Sequence, residues 1–289
     1  MNTKQLIICL MALYWSQNLL SQNILQDTEM KTSIADRQLK VPLSNLFYKM
    51  GGNALHSLTY NYGANYAVAA LGTYGLVKSG IDWKWNRMAY NNEWLAWSGT
   101  PFGALGFIVP VAAPVGLYVY GRKHDDVKLQ VTGLALGQSA ILALGISSSI
   151  KAFTGRREPG IMEHHIYPDR TGDANDYSDD WAFGFMKRGI FSGWPSSHTI
   201  VAFSLATTLA ELYPDNTWLK VGAFAYAGCT GLGMSLFGHW ASESFAGALM
   251  GYAIGKSVGR SFNGLLGKET KVNYSLYAVP NGIGLTINF

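Results

Sequence analysis

The placement of charge is the feature that most limits what this chain can become. Residues 50–77, 94–121, 129–150, 189–210 and 221–242 contain no Asp, Glu, Lys or Arg, and 244–255 adds a shorter gap. A membrane-crossing helix needs about 20 apolar residues. Four of the gaps hold such a stretch: "TPFGALGFIVPVAAPVGLYVY", "LQVTGLALGQSAILALGISSSI", "TIVAFSLATTLA" with its lead-in, and "VGAFAYAGCTGLGMSLF". All are rich in Gly, Ala, Ser and Thr, the residues that let helices in lipid approach closely. The expected fold is all-α, a helical bundle of five to six core helices, read as transmembrane, with a soluble buried bundle as the alternative. Charged residues are 14% of the chain, well under the roughly 25% usual for soluble domains, which favours the membrane reading.

The ends differ from the middle. Lys4, the apolar run "LIICLMALYW" and "LLS" before Gln22 have the order of a secretory signal peptide over residues 1–21. Without it Cys229 is the one remaining cysteine, so no internal disulfide is expected. Residues 22–45 read as a polar N-terminal segment, 46–265 as the helical domain, and 266–289 as a tail. In that tail two β-prone runs flank "PNG", which predicts a short β-hairpin. The net charge of +4 is mild and forms no basic stripe, which suits an anionic substrate or a lipid surface and argues against nucleic acid.

Chemistry concentrates around one long polar stretch, residues 151–192. Lys151 ends the third apolar segment, "PSSH" opens the fourth at Pro195–His198, and His239 ends the fifth. If consecutive helices alternate in direction, all three clusters meet at one end of the bundle. A helix beginning at Ser196 offers unpaired backbone N–H groups and a positive dipole end, which suit an anion. Ser196 and Ser197 add hydroxyls, and Lys151, Arg156 and Arg157 add positive charge suited to phosphate oxygens. His239 and Glu243, four residues apart on one helix face, make an imidazole oriented by a carboxylate. His198 at the rim is then available as a general acid.

These segments, Lys151 through Pro159, "PSSH" and "HWASE", resemble the three signatures of the type 2 phosphatidic acid phosphatase and vanadium haloperoxidase superfamily. The family pattern is Lys, six residues, Arg-Pro; then Pro-Ser-Gly-His; then Ser-Arg, five residues, His, three residues, Asp. The likeness spans roughly residues 60 to 260. It implies an all-helical bundle that hydrolyses a phosphomonoester or diphosphate without metal or cofactor, with His239 attacking phosphorus and His198 protonating the leaving oxygen. The implied substrate is a phosphorylated lipid or a small phosphoester. The implied place is the cell envelope, as a multi-pass membrane protein whose site faces the periplasm. A soluble periplasmic acid phosphatase of the same superfamily, and an inactive relative that binds anionic lipid, are the other readings. If the signal is cleaved and residues 62–79 span first, the site turns cytoplasmic, so topology stays open.

The departures from the pattern are specific. Glu158 stands at the first family arginine, with Arg157 one place earlier, Ser197 replaces the glycine, Gly233 stands at the third-segment arginine, and Glu243 replaces Asp. Replacement cations are expected from the polar loop, first Arg157 and then Arg156, with Arg170, Lys187 and Arg188 behind them. His164 and His165 lack further ligands at metal-binding spacing and read as solvated loop, and "DANDYSDD" lacks the glycine and final glutamate of a calcium loop.

Overall fold

The computed structural model describes residues 40–59, 62–159, 175–188, 190 and 193–267, and beyond them only the backbone of 273–279 and 282–288. The expected signal peptide, His164, His165 and Arg170 lie outside the described residues. No side chain is described after residue 267, so the C-terminal hairpin stays an expectation.

A 3-10 turn at Leu43–Phe47 leads into α1 (Met50–Leu58), α2 (Gly63–Lys78), α3 (Ile81–Tyr90), α4 (Glu93–Ser98) and α5 (Thr100–Lys123). There follow α6 (Val127–Thr154), the single turn α7 (Gly184–Lys187), α8 (Ser197–Leu212), α9 (Thr217–Phe237) and α10 (Ala241–Leu265). The charge-free gaps become helices whose Ser and Thr hydroxyls fold back onto backbone carbonyls three or four residues earlier, as Thr132 does onto Lys128, and polar residues mark the ends. Asp126 caps α6 by accepting the Leu129 N–H at 2.9 Å, and Asn216 caps α9 by accepting that of Leu219 at 3.0 Å. At its far end α6 stops at Gly155, whose φ of 38° closes the helix onto the Lys151 carbonyl. A Cβ at Gly155 would lie 2.5 Å from the Ala182 carbonyl oxygen, so the polar loop can cross there only over glycine.

The centre of the bundle is α10. Its Met250, Ile254, Val258 and Phe262 are buried with Ile200, Val201 and Leu205 of α8 and Val131, Leu134 and Leu136 of α6. Beside that face a stripe of Gly247, Gly251, Gly255 and Gly259 meets α8 almost backbone to backbone. A Cβ at Gly251 would lie 2.3 Å from the Ile200 carbonyl oxygen, and one at Gly255 2.5 Å from that of Ser204. Buried hydroxyls knit the same layers, with Ser139 of α6 2.6 Å from Thr208 of α8.

Two helices are long and apolar enough to cross a membrane by length and composition: α5, with mean hydropathy 1.9, and α6, with 1.5. The expectation of four such segments narrows to these two among the described residues, since α8 runs for only 16 residues. They differ in packing. Two thirds of the apolar window of α6 lies inside the bundle, whereas only 17% of that of α5 does. Phe107, Ile108, Val111, Val115 and Val119 of α5 therefore present an apolar face outward.

The glycine stripe gives a direct test. Gly251→Ala is expected to destabilise the purified protein by roughly 1–3 kcal/mol through overpacking, or to prevent folding. Gly222→Ala, at an α9 position with nothing within 4 Å, should be neutral or stabilising by up to about 1 kcal/mol. Thermal unfolding midpoints of the two variants check the sign of each.

Candidate active site

The end of α6, the start of α8 and the junction between α9 and α10 lie at one end of the bundle. Lys151 occupies the last turn of α6 and is 1% exposed. Ser196 is the N-cap of α8; its hydroxyl accepts the Thr199 N–H at 3.5 Å and the Thr199 hydroxyl at 3.1 Å. Its own N–H donates to the Glu243 carbonyl at 3.1 Å, which ties the mouth of α8 to the first turn of α10. The Ser197 hydroxyl lies 3.1 Å from that of Ser147 on α6.

The two histidines face each other, with ring centroids 6.2 Å apart. His239 does not sit on a helix face with Glu243, as the spacing suggested. Gly238 ends α9, His239 falls in the break, Trp240 is the N-cap of α10, and Glu243 is in that helix's first turn. From there the carboxylate reaches back past the cap, as a residue in this position does in a capping box. Its Oε2 lies 2.6 Å from His239 Nδ1. That contact assigns Nδ1 to the carboxylate and leaves Nε2 as the ring nitrogen for other chemistry. On His198 neither ring nitrogen has a hydrogen-bond partner among the described residues, and both are buried. The Phe107 ring packs edge-on against it at 4.2 Å. Burial, and after it the charges of His239 and Lys151, push the His198 imidazole down to about 3.

The arginines are placed differently from their expected roles. Arg156 is fully buried and turned away toward α3: its Nε donates to the Ser178 carbonyl at 2.9 Å and one terminal nitrogen to the Ser242 hydroxyl at 2.8 Å. The other terminal nitrogen pairs with Asp82 at 2.8 Å. The nitrogen bound to Ser242 also stands 3.5 Å from the second oxygen of Glu243, and the Trp181 and Trp240 rings lie 5.0 and 5.3 Å from the guanidinium carbon. Its donors are thus consumed inside the protein, which is the physical reason it does not reach outward as a phosphate ligand. Arg157 lies 4.0 Å over the Tyr177 ring, while its carbonyl accepts the Trp240 indole N–H at 2.7 Å. Arg188 is held by Asp180 and the Gly155 carbonyl, and Lys187 is exposed. Glu158, at the position of the first family arginine, acts electrostatically on Lys151.

Sequence reasoning did not single out Asp82, Ser178, Ser242, Trp181 or Phe107. Ser242 lies within "HWASE" and was within reach, but Asp82 is one acid in a polar helix far upstream, and only its complete burial marks it.

The all-helical bundle thus gathers a lysine, a serine-capped helix mouth and a carboxylate-oriented histidine at one end, an arrangement suited to an anionic group. Residues 132–264 match the model of the PAP2 superfamily, so that segment is similar to that superfamily. That similarity supports, at the coarse level, a phosphatase-like enzyme. Neither a curated protein nor a solved structure matches the chain.

The absent third-segment arginine has a steric cause. A Cβ on Gly233 would stand 2.7 Å from Phe102 Cβ and 3.1 Å from the Gly99 carbonyl oxygen, because the start of α5 crosses α9 there. Restoring the family residue by Gly233→Arg is therefore expected to lower the unfolding midpoint and to leave phosphatase turnover no higher than in the wild type. A gain of turnover would show that α5 gives way.

Proposed function

We propose that this protein is a membrane phosphatase of the cell envelope that hydrolyses a phosphomonoester or diphosphate, carried by a lipid, through a phosphohistidine at His239. The observation that carries the reading is the contact of Glu243 with His239 Nδ1 at 2.6 Å, opposite an unpartnered His198. In the first step the Nε2 lone pair forms the N–P bond while the bond from phosphorus to the leaving oxygen breaks. His198 delivers its proton to that oxygen. In the second, water attacks phosphorus, the N–P bond breaks, and His198 takes the water's proton, so phosphate leaves and both rings return to their starting state.

Charge makes the cycle self-consistent. A phosphoryl dianion beside His198 supplies the negative partner that burial denies it, so the ring becomes protonated when the substrate arrives. Lys151, the hydroxyls of Ser196 and Ser197, and the first-turn N–H groups of α8 supply donors for the equatorial oxygens. Arg157 is the loop cation left to assist them, at the cost of its place over Tyr177. The outward apolar face of α5 supports a lipid environment, since soluble proteins rarely expose so long an apolar helix. A multi-pass arrangement with the site toward the periplasm, a cleaved signal over 1–21, and a hairpin tail over 266–289 complete the proposal.

A second reading has its own support. With Glu158 and Gly233 at the arginine positions and Arg156 consumed internally, an anion-binding relative without turnover fits the same coordinates. Phosphate release from a lipid phosphate, an isoprenoid diphosphate and a small phosphomonoester separates the two. Turnover on the lipid substrates, abolished in His239→Ala and reduced about 10²–10⁴-fold in His198→Ala, is the expected result. No release from any of the three, together with saturable binding of lipid phosphate, would establish the binding protein instead. Recovery of the full-length protein in a detergent-free periplasmic extract would replace the membrane enzyme with a soluble one.

A further inference from the structure

We infer that Asp82 and Arg156 form a positioning relay behind Glu243, which sets the direction and the basicity of His239. The inference rests on the reading of His239 as the nucleophile, and deepens it by adding two residues that never touch the substrate. Asp82 belongs to α3, outside the stretch 132–264 that matches the superfamily.

Asp82 first does the work of a missing helix cap. The N-cap of α10 is Trp240, whose side chain cannot accept from the first turn. Asp82 supplies that acceptor from another helix, its Oδ1 taking the Ser242 N–H at 2.9 Å. Its Oδ2 takes both the Ser242 hydroxyl and Arg156. A carboxylate at this position also sits at the positive end of the α10 dipole. Since Glu243 is the next residue, fixing Ser242 fixes where its carboxylate begins.

Arg156 supplies the second constraint. One terminal nitrogen bridges the Ser242 hydroxyl at 2.8 Å and Glu243 Oε1 at 3.5 Å, while Glu243 Oε2 holds His239 at 2.6 Å. The four groups run in order Asp82, Arg156, Glu243, His239. Asp82 and Arg156 cancel in charge, which leaves the negative charge of Glu243 to the imidazole. Were Asp82 neutral, Arg156 would turn its whole charge on Glu243 and weaken that support. Were Arg156 neutral, both carboxylates would act on His239 together. The remaining groups that face this corner are His198 from α8, Lys151 from α6 and, beyond Lys151, Glu158 from the loop, together with Asp179, whose charge interacts with Arg156. These substitutions leave all of them in place.

The test compares wild type, Asp82→Asn, Arg156→Gln and Arg156→Lys as full-length protein in detergent, by the pH dependence of phosphate release from a lipid phosphate. Attack needs the free ring nitrogen of His239, so the acid limb of kcat/KM is the limb that the relay should move. In Asp82→Asn this limb should move to lower pH and kcat should fall about ten- to a hundredfold, as for other groups that orient a working imidazole from behind. KM should change about twofold or less, since the relay does not touch the phosphate. In Arg156→Gln the limb should move the opposite way, to higher pH, and in Arg156→Lys it should return toward the wild-type position. A merely structural role would lower the folded fraction and leave all four limbs superimposed, and that result overturns the relay. If Asp82→Asn does not fold, the opposed behaviour of Arg156→Gln and Arg156→Lys carries the same decision. A wild type without turnover on any substrate would remove the phosphatase reading and this inference together, whereas normal turnover with unmoved limbs removes the relay alone.

Discussion

The approach of α8 to α10 is the constraint on which the rest depends. Four glycines at four-residue intervals let the two backbones come within the space a methyl group would fill. At that separation the Ser196 N–H reaches the Glu243 carbonyl, so the N-terminus of one helix is fixed beside the first turn of the other. The cradle for an anion and the carboxylate that orients His239 are consequently parts of one rigid junction.

The second theme is how buried charge is used. Burying an ion pair costs several kcal/mol per ion in desolvation, repaid only by dense hydrogen bonding. Arg156 meets that condition with three hydrogen-bonded partners and two aromatic rings, and Asp82 with three donors. The consequence is chemical. Positive charge that could have faced an anion is held here inside the protein, and under the proposed function Lys151 and the mouth of α8 take most of the substrate's charge.

Much of the architecture was legible because long charge-free segments rich in Gly and Ala exceed the length of ordinary strands and favour closely packed helices. The gap 129–150 became α6 nearly as drawn, and the meeting of Lys151, Ser196 and His239 followed from alternating direction. Breaks inside gaps were less visible. Gly238 divides 221–242 into two helices, so His239 precedes α10 instead of riding on it, although its pairing with Glu243 was readable from spacing. The fate of Arg156 was not readable at all. Its "GR" context carries charge but no direction, and its partner Asp82 lies 74 residues upstream, a pairing that only the tertiary fold reveals. Likewise the exclusion of an arginine at position 233 depends on where Gly99 and Phe102 cross, which is tertiary information.

The account turns on a covalent bond between phosphorus and His239. Rapid quenching of the enzyme during turnover of a lipid phosphate, followed by peptide mass spectrometry under alkaline conditions that preserve phosphoramidates, looks for that bond directly. The account predicts a phosphoryl group on His239 that appears within the first turnover, disappears in a chase without substrate, and accumulates in His198→Ala when the leaving group is good enough to need no acid. A phosphoryl group on any other residue, or steady turnover with His239 never modified, would contradict it.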